Sequence, residues 1–522
     1  MRRMAGSHVL PKYLEPVHKL NFEPRIGFAY SPSFEWARRR MVVRGGYGIT
    51  HVATTARGRN PIPDFGAGAG PWNYVQSGHQ RAPVLEIPSS GILCAGCNPR
   101  DPRVPTGNLI AFSKANSAPY IQTWSLTLQT QLPGAMVLSL SYLGQKGTHL
   151  YSPQLSVNDP DLIQFENLLN EGGDPAQAVP DPFGRVDASG NLRNVQVQDL
   201  MRPYPTLGAI NLAGLTNGNS IYHAGTASIE RRFSGMVGFR ANYTWGKSIN
   251  SGSSGSLDNA YLYSWGIDRV QNPLNLAMNR SVSTLDSRHR FNVTVNLESP
   301  FSRGRPLASD SRVMTALLGN WSINGIGSIT SGYPFQVFLG DANGIPNGTN
   351  VSQRIRPDVV AGVPMINPRW NKTVANDEPY INPEAFARPA FGNLGNAPRT
   401  LDYARTPTRQ TLNASLFREL RPFSEKRRYI QLRVEFFNVL NRVTFMTNAV
   451  NSPQMFNSLP QSRTGTPLVG PIPYLRGKTA ADFPVGSREA QLANGYNQAF
   501  GLLDRNNNGQ GRIIQLAIRL YW

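Results

Sequence analysis

The sequence predicts an all-β fold, a transmembrane antiparallel up-and-down β-barrel with long extracellular loops. Apolar and polar residues alternate with a period of two in about eleven segments, the pattern of strands with one apolar and one wet face. Short and very long connections alternate between these segments. No segment has the run of about eighteen apolar residues that a membrane helix needs. A membrane-spanning form of this chain would therefore cross the bilayer with strands.

The last segment, 512–522, shows the alternation most clearly and ends on an aromatic residue. One face carries only apolar side chains, and the other carries Gln515, Ala517 and Arg519. About ten such residues are what a tilted strand needs to cross a bilayer. The residues of the apolar face are Ile514, Leu516, Ile518, Leu520 and Trp522.

Two tight hairpins are predicted in the middle of the chain. Residues 121–132 and 136–142 alternate on either side of Pro133 and Gly134, a pair typical of tight turns. A second hairpin has its turn at Ser234 and Gly235. Further strands are predicted at 24–31, 41–52, 221–233, 237–248, 288–297, 321–330, 412–416 and 430–436.

The placement of the connections predicts an orientation. Outer-membrane barrels keep short turns on the periplasmic side and long loops outside. If the C-terminus is periplasmic, every short turn of this chain lies on that side. The strand count is odd, whereas a closed bacterial single-chain barrel has an even number. We therefore expect residues 21–522 to form the C-terminal half of a larger barrel, after an N-terminal segment 1–20 that has no apolar signal-peptide core.

The formal charge of +20 raises nucleic acid and anionic surfaces as partners. The arginines are mostly scattered singly, and the short clusters at 38–40 and 426–428 fall at predicted turns. This distribution favours contact with anionic lipid headgroups of the outer membrane, and we expect no nucleic-acid partner.

Cys94 and Cys97 form a single C-x-x-C pair in the first long loop. Such a pair could be half of a zinc site or a redox pair, but no second cysteine pair or histidine cluster accompanies it. A small loop disulfide is the simpler interpretation.

Eight segments, in chain order, resemble the barrel of Oar-like TonB-dependent outer-membrane receptors. The resemblance extends from about residue 21 to residue 522. It is carried by N-F-E-P-R-I-G-F-A-Y at 21–30, V-V-R-G-G-Y-G-I at 42–49, S-Y-L-G-Q-K-G-T-H-L at 141–150, E-R-R-F at 230–233, Y-T-W-G-K-S at 243–248, D-S-R-H-R-F at 286–291, S-G-Y-P-F at 331–335 and V-E-F-F-N-V-L-N at 434–441.

The resemblance implies a receptor or transporter that moves a substrate across the outer membrane through a barrel of about 22 strands. It implies a TonB system that would act through a plug missing from this sequence. It also implies that Leu516, Ile518, Leu520 and Trp522 are similar to the aromatic-ended signal that the barrel-assembly machinery recognises.

The polar faces of the strands supply the candidate functional residues. Charges in a narrow pore select solutes by sign, so an arginine-bearing lumen would favour anionic solutes or a plug with acidic patches. Ordinary lumen polarity is the alternative interpretation. The lumen-facing candidates are Arg44, Arg240, Asn242, Arg433, Glu435 and Arg519.

No motif predicts an enzyme, a cofactor or a metal site. Asp286 and His289 lie close together, but no G-x-S-x-G turn accompanies them, and we expect both at the rim where a strand begins. The D-x-N-x-N-G sequence at 504–509 has Gln515 where a calcium loop needs glutamate. A soluble or secreted β-rich module that binds through its long loops remains the alternative function. Recovery of the protein only with detergent would favour the membrane barrel.

Overall fold

The structure is a computed structural model of the 522-residue chain. The residues that it describes are 21–32, 41–51, 109–112, 117–150, 155–156, 158–160, 162–184, 190–205, 210–213, 216–251, 271, 275–301, 307, 312–340, 355–370, 378–420, 428–442, 454–457, 468–503 and 511–522. The predicted N-terminal segment 1–20, Cys94, Cys97 and the turn at 504–509 lie outside them.

Eleven long strands pair in chain order, each antiparallel to the next, in a single sheet. The predicted all-β, up-and-down fold is therefore confirmed. The bounds agree with the alternating segments to within about four residues, except that the strand beginning at Met136 continues to Leu150, well past the predicted segment 136–142. We call these eleven strands the wall. Its strands are β1 Arg25–Tyr30, β2 Met41–His51, β3 Tyr120–Leu132, β4 Met136–Leu150, β5 Gly218–Ser234, β6 Val237–Asn250, β7 His289–Glu298, β8 Trp321–Thr330, β9 Arg409–Leu420, β10 Tyr429–Phe437 and β11 Ile513–Tyr521.

The connections divide between the two ends of the wall as predicted, with one exception. The connections after β1, β3, β5, β7 and β9 lie at the end where β11 stops, which we call the turn end, and the others lie at the opposite end. The exception is the connection after β7, residues 299–320, which is long and contains a helix although it lies at the turn end. Two turns are tight because Gly134 and Gly235 adopt left-handed backbone angles, φ of 77° and 72°, that glycine adopts without strain.

The strand register separates the wall into two chemically distinct faces. One row of directly paired residues runs Leu128, Leu140, Ala227, Tyr243 and Phe291 across β3 to β7. Because side chains alternate along each strand, every second residue from this row belongs to the same apolar face. That face ends at Ile514, Leu516, Ile518, Leu520 and Trp522.

The apolar face is exposed. Leu516 keeps 75% of its surface accessible and Leu140 keeps 45%, while Phe239 and Leu432 are half-buried. No second sheet or helix layer seals this face among the described residues, in contrast to the core of a soluble sandwich. Within the same residues β1 and β11 each pair on one side only and run in the same direction, so the wall is an open sheet.

Two of the long connections, which the sequence pattern predicts only as loops, contain a buried apolar core. Apart from Phe165, which lies in the connection between β4 and β5, the largest fully buried side chains of the described chain lie between β8 and β9 and between β10 and β11. We call the described parts of 331–408 and 454–503 the loop unit. Its shared core includes Phe335, Leu339, Ile381, Phe386, Leu401, Met455, Phe456, Ile472, Leu475, Leu492 and Phe500.

Short strands join the two connections of the loop unit. Phe386–Arg388 pairs with Asp358–Val359 on one side and with Gly470–Pro471 on the other. Each fully buried leucine or phenylalanine contributes about 1.5–3 kcal/mol, so this core is large enough to hold the loop unit together. Period-two patterns do not reveal it, because its segments are short and irregular.

The remaining elements are small. Helices span Leu162–Asn170, Val197–Leu200, Arg312–Leu318 and Arg488–Gly495, with 3-10 turns at Leu276–Asn279, Pro383–Ala385 and Ala480–Asp482. In the part of the chain that is described, no helix has the length and apolar character to cross a membrane. Short strands are Leu109–Phe112, Leu155–Ser156, Ala178–Pro180, Asn194–Gln196, Ile210–Ala213, Ser281–Val282, Pro334–Phe335 and Leu401–Arg405.

Candidate functional site: the polar face and the rim

All six lumen candidates lie on the second, polar face of the wall. Arg44 pairs directly with Thr127, and the same row continues through Ser141, Thr226 and Thr244. Asn242 pairs with Ser228 and Asn292 one step further along β6. The other pairs that place candidates on this face are Arg240 with Glu230, Arg433 with Ala517, Glu435 with Gln515, and Arg519 with Gln431.

Hydroxyl groups of neighbouring strands bond to each other along the polar face. The Thr127 and Ser141 hydroxyls are 3.0 Å apart, and those of Thr226 and Thr244 are also 3.0 Å apart. Cross-strand pairs of this kind satisfy both hydroxyls without apolar contact. The face is therefore suited to water and not to hydrocarbon.

Two of the candidate arginines are partnered by glutamates on the same face. Arg240 Nη2 lies 2.5 Å from Glu230 Oε2, and Arg433 Nη1 lies 3.3 Å from Glu435 Oε1. The Arg433 guanidinium also lies 4.4 Å from the centre of the Phe417 ring. These contacts hold both arginines against the wall.

Arginines outnumber glutamates on this face, so its net charge is positive. Besides the candidates, the register places Arg25, Arg290 and Arg409 on it, with Glu230, Glu298 and Glu419 as the further carboxylates.

A shallow depression lies on the polar face at the turn end. It has a volume of about 370 Å³ and is formed by β7 to β10 with Phe233 of β5. Its lining combines the apolar side chains of Phe233, Leu297 and Phe417 with amide, hydroxyl and charged groups, which include Asn296, Ser322, Asn324, Gln431 and Arg433. Such a lining suits a hydrated polar group.

At the other end, a cluster of charges ties the loop unit to the wall. We call Lys247, Asp286, Arg288, Asp402 and Arg405 the rim cluster. Arg405 Nη2 lies 2.7 Å from Asp286 Oδ2 and 2.6 Å from Asp402 Oδ1. Arg288 Nη2 donates to both carboxylate oxygens of Asp402 at 2.8 Å. The cluster thus joins the end of β6, the approach to β7 and the loop unit.

The Asp286 carboxylate is the most deeply buried group of this cluster, with 1% of its side chain exposed. Its Oδ1 accepts a hydrogen bond from the Ser248 main-chain N–H at 2.6 Å. His289 instead forms a hydrogen bond through Nδ1 with the Tyr243 hydroxyl at 2.8 Å. The prediction that Asp286 and His289 lie at the rim where a strand begins agrees with this placement.

Asp402 has a lowered pKa. Partial burial pushes the pKa of this carboxyl up, but hydrogen bonds and charges from Arg405 and Arg288 outweigh burial and lower it. A group whose pKa is lower in the folded than in the unfolded state stabilises the fold above its unfolded pKa. That contribution is lost as the pH falls through the folded-state value.

Tyr380 connects the rim cluster to the loop core. Its hydroxyl donates to the Arg405 main-chain oxygen at 2.7 Å, and burial raises the pKa of Tyr380 to about 12. Nearby, Arg356 donates through Nη1 to Asn279 Oδ1 at 3.1 Å, and burial followed by the charge of Arg399 lowers the pKa of Arg356 to about 10. Sequence reasoning missed these links because their partners lie far apart in the chain.

The described residues contain no group of three or more histidine, cysteine, aspartate or glutamate side chains placed to hold a metal ion. The four residues of the predicted assembly signal lie on the apolar face at the edge of the wall, and each is exposed.

Comparison with known families decides the class. Residues 3–515 match the family described as "Outer membrane beta barrel domain". The chain belongs to this family. The predicted outer-membrane β-barrel is therefore confirmed, and the exposed apolar face of the wall is the side that this family turns to lipid.

Solved structures of outer-membrane proteins are similar to this chain only at a low level. The Escherichia coli outer membrane transporter YddB is 9% identical, with a TM-score of 0.34, over 78% of this chain and 35% of YddB. The ferripyoverdine receptor of the Pseudomonas aeruginosa outer membrane is 8% identical, with a TM-score of 0.31, over 82% and 30%. The chain thus spans about a third of their length. The search of curated proteins finds no match.

Proposed function

We propose that this chain forms part of the wall of an Oar-like TonB-dependent receptor or transporter that moves a solute across the outer membrane. The observation that supports this most directly is the two-faced wall of eleven strands, with tight turns at one end and a folded loop unit at the other. Coupling to the TonB system through a plug belongs to the same proposal. The proposed role is passage and binding, not catalysis.

The polar face is proposed to line the pore. Because its charge is positive, it would attract anionic solutes or acidic patches of a plug. Arg240 and Arg433 are the residues to substitute. They lie on two different strands, β6 and β10, so together they sample two parts of the polar face.

The test is the charge selectivity, in planar bilayers under a salt gradient, of the closed barrel that contains this wall. Arg240→Gln combined with Arg433→Gln should shift the zero-current potential toward cation selectivity. The matched control is Arg231→Gln with Arg418→Gln, which removes the same charge from the apolar face near the turn end. Equal selectivity of wild type and the first pair would leave only ordinary lumen polarity.

The C-terminal residues are proposed as the assembly signal. Trp522 is 87% exposed and extends the apolar face of β11 past its last paired residue. Trp522→Ser should reduce the amount of heat-modifiable, membrane-inserted protein in cells, and Arg519→Ser on the polar face should not. Normal insertion of Trp522→Ser would contradict this role.

A further inference from the structure

The connection between β7 and β8 differs from the tight turns at its end of the wall. It contains the helix Arg312–Leu318. Four of its side chains are exposed and apolar: Val313, Met314, Leu317 and Leu318. At 100° per residue these positions fall on one side of the helix. An apolar stripe of this kind needs a covering surface.

The helix is attached to the apolar face of the wall and not to the polar one. Trp321, the first residue of β8, donates its Nε1–H to the main-chain oxygen of Leu317 at 2.9 Å. The register puts Trp321 on the apolar face, in line with Ile323 and paired with Arg418. The last turn of the helix therefore lies where the apolar face meets the turn end.

The neighbouring side chains are those expected at a membrane surface. The Arg418 guanidinium lies 5.2 Å from the centre of the Trp321 ring. Tryptophan is enriched at the level of lipid headgroups, and arginine extends its charge toward phosphate groups from there.

We propose that the helix Arg312–Leu318 is an interfacial anchor. It lies in the headgroup region of the phospholipid leaflet at the turn end and inserts Val313, Met314, Leu317 and Leu318 among the upper acyl carbons. The helix is amphipathic, and its last turn adjoins the lipid-facing side of the wall. It can therefore enter the headgroup region without a rearrangement of the wall. The inference rests on the proposed function only in taking the apolar face as lipid-facing.

Depth-dependent quenching of a fluorophore tests the anchor in the full chain. The chain, with Cys94→Ser and Cys97→Ser, carries Leu317→Cys labelled with bimane and is folded into vesicles of phosphatidylethanolamine and phosphatidylglycerol. Lipids with a nitroxide near the headgroup should quench the label strongly, and lipids with a nitroxide near the chain end should quench it less. Leu317 is 60% exposed, so the label has room.

Two further positions make the result decisive. Leu140→Cys, on the apolar face of β4, should be quenched by lipid nitroxides, and Val485→Cys, a fully exposed loop-unit position, should not be quenched. Quenching at Leu140 but not at Leu317 would overturn the anchor and leave the wall in the membrane. Absence of quenching at Leu140 would overturn both the lipid-facing wall and the proposed function.

Discussion

Leu140→Arg is expected to lower the free energy of unfolding of the wall in phospholipid vesicles by about 2–4 kcal/mol, the cost of a cation on the lipid face of a barrel well inside the bilayer. Leu140 pairs directly with Leu128 and Ala227, so an arginine there has only apolar neighbours on both sides. The guanidinium must leave water without gaining a partner. Denaturant titration of the refolded protein, followed by tryptophan fluorescence, measures the loss.

The matched control for Leu140→Arg is Ser139→Arg. Ser139 precedes Leu140 in β4 and lies on the polar face, between Gln129 and Ser228. The same charge there meets water and amide groups, so we expect a much smaller loss. A loss at position 139 equal to that at 140 would mean that the two faces do not differ in environment. Stable folding without lipid or detergent would instead favour the soluble β-rich module.

Arg405→Leu is expected to destabilise the attachment of the loop unit by about 3–5 kcal/mol, the usual cost of removing one partner of a buried ion pair. The substitution leaves the Asp286 carboxylate, which is 1% exposed, with its charge unmatched by this arginine. It also removes donors to the main-chain oxygens of Asp286 and Gly332. Hydrogen exchange should show faster opening of the loop unit with unchanged protection of β3 to β6.

Arg240→Leu is the control, because its partner Glu230 forms an exposed pair on the polar face. The Arg240 side chain is 58% exposed, and such pairs contribute about 0–1 kcal/mol. A loss at position 240 as large as that at 405 would show that burial of the rim cluster is not the cause.

The lowered pKa of Asp402 in the rim cluster predicts that the stability of the loop unit depends on pH. Because the pKa of Asp402 is lowered in the folded protein, its contribution is complete above the unfolded value of about 3.9 and disappears as the pH falls through the folded-state value. Hydrogen exchange of the wild-type loop unit should therefore accelerate below about pH 4. Arg405→Leu should show a weaker pH dependence, since one of the groups that lowers this pKa is gone. An identical pH dependence in both proteins would contradict the role of Arg405.

The wall could be predicted from the sequence because apolar and polar residues alternate along each of its strands. In β6 the apolar residues Phe239, Ala241 and Tyr243 alternate with Arg240, Asn242 and Thr244, so the sequence shows which side of the strand meets lipid. The tight turns need glycine because glycine adopts left-handed backbone angles without strain. The face of each candidate residue follows from that alternation. The contacts of Arg240 with Glu230 and of Arg433 with Glu435 depend in addition on register and side-chain rotamers.

The sequence by itself determined an all-β, two-faced wall and the polar side on which Arg44, Arg240, Asn242, Arg433, Glu435 and Arg519 lie. These features depend on period-two patterning and turn chemistry, which are local. Only the tertiary structure decided that two of the long connections share a core and that Arg405 forms ion pairs with both Asp286 and Asp402. It also decided that the helix Arg312–Leu318 is hydrogen-bonded to Trp321. Those contacts join residues far apart in the chain, and no local pattern records which distant segment will cover a buried side chain.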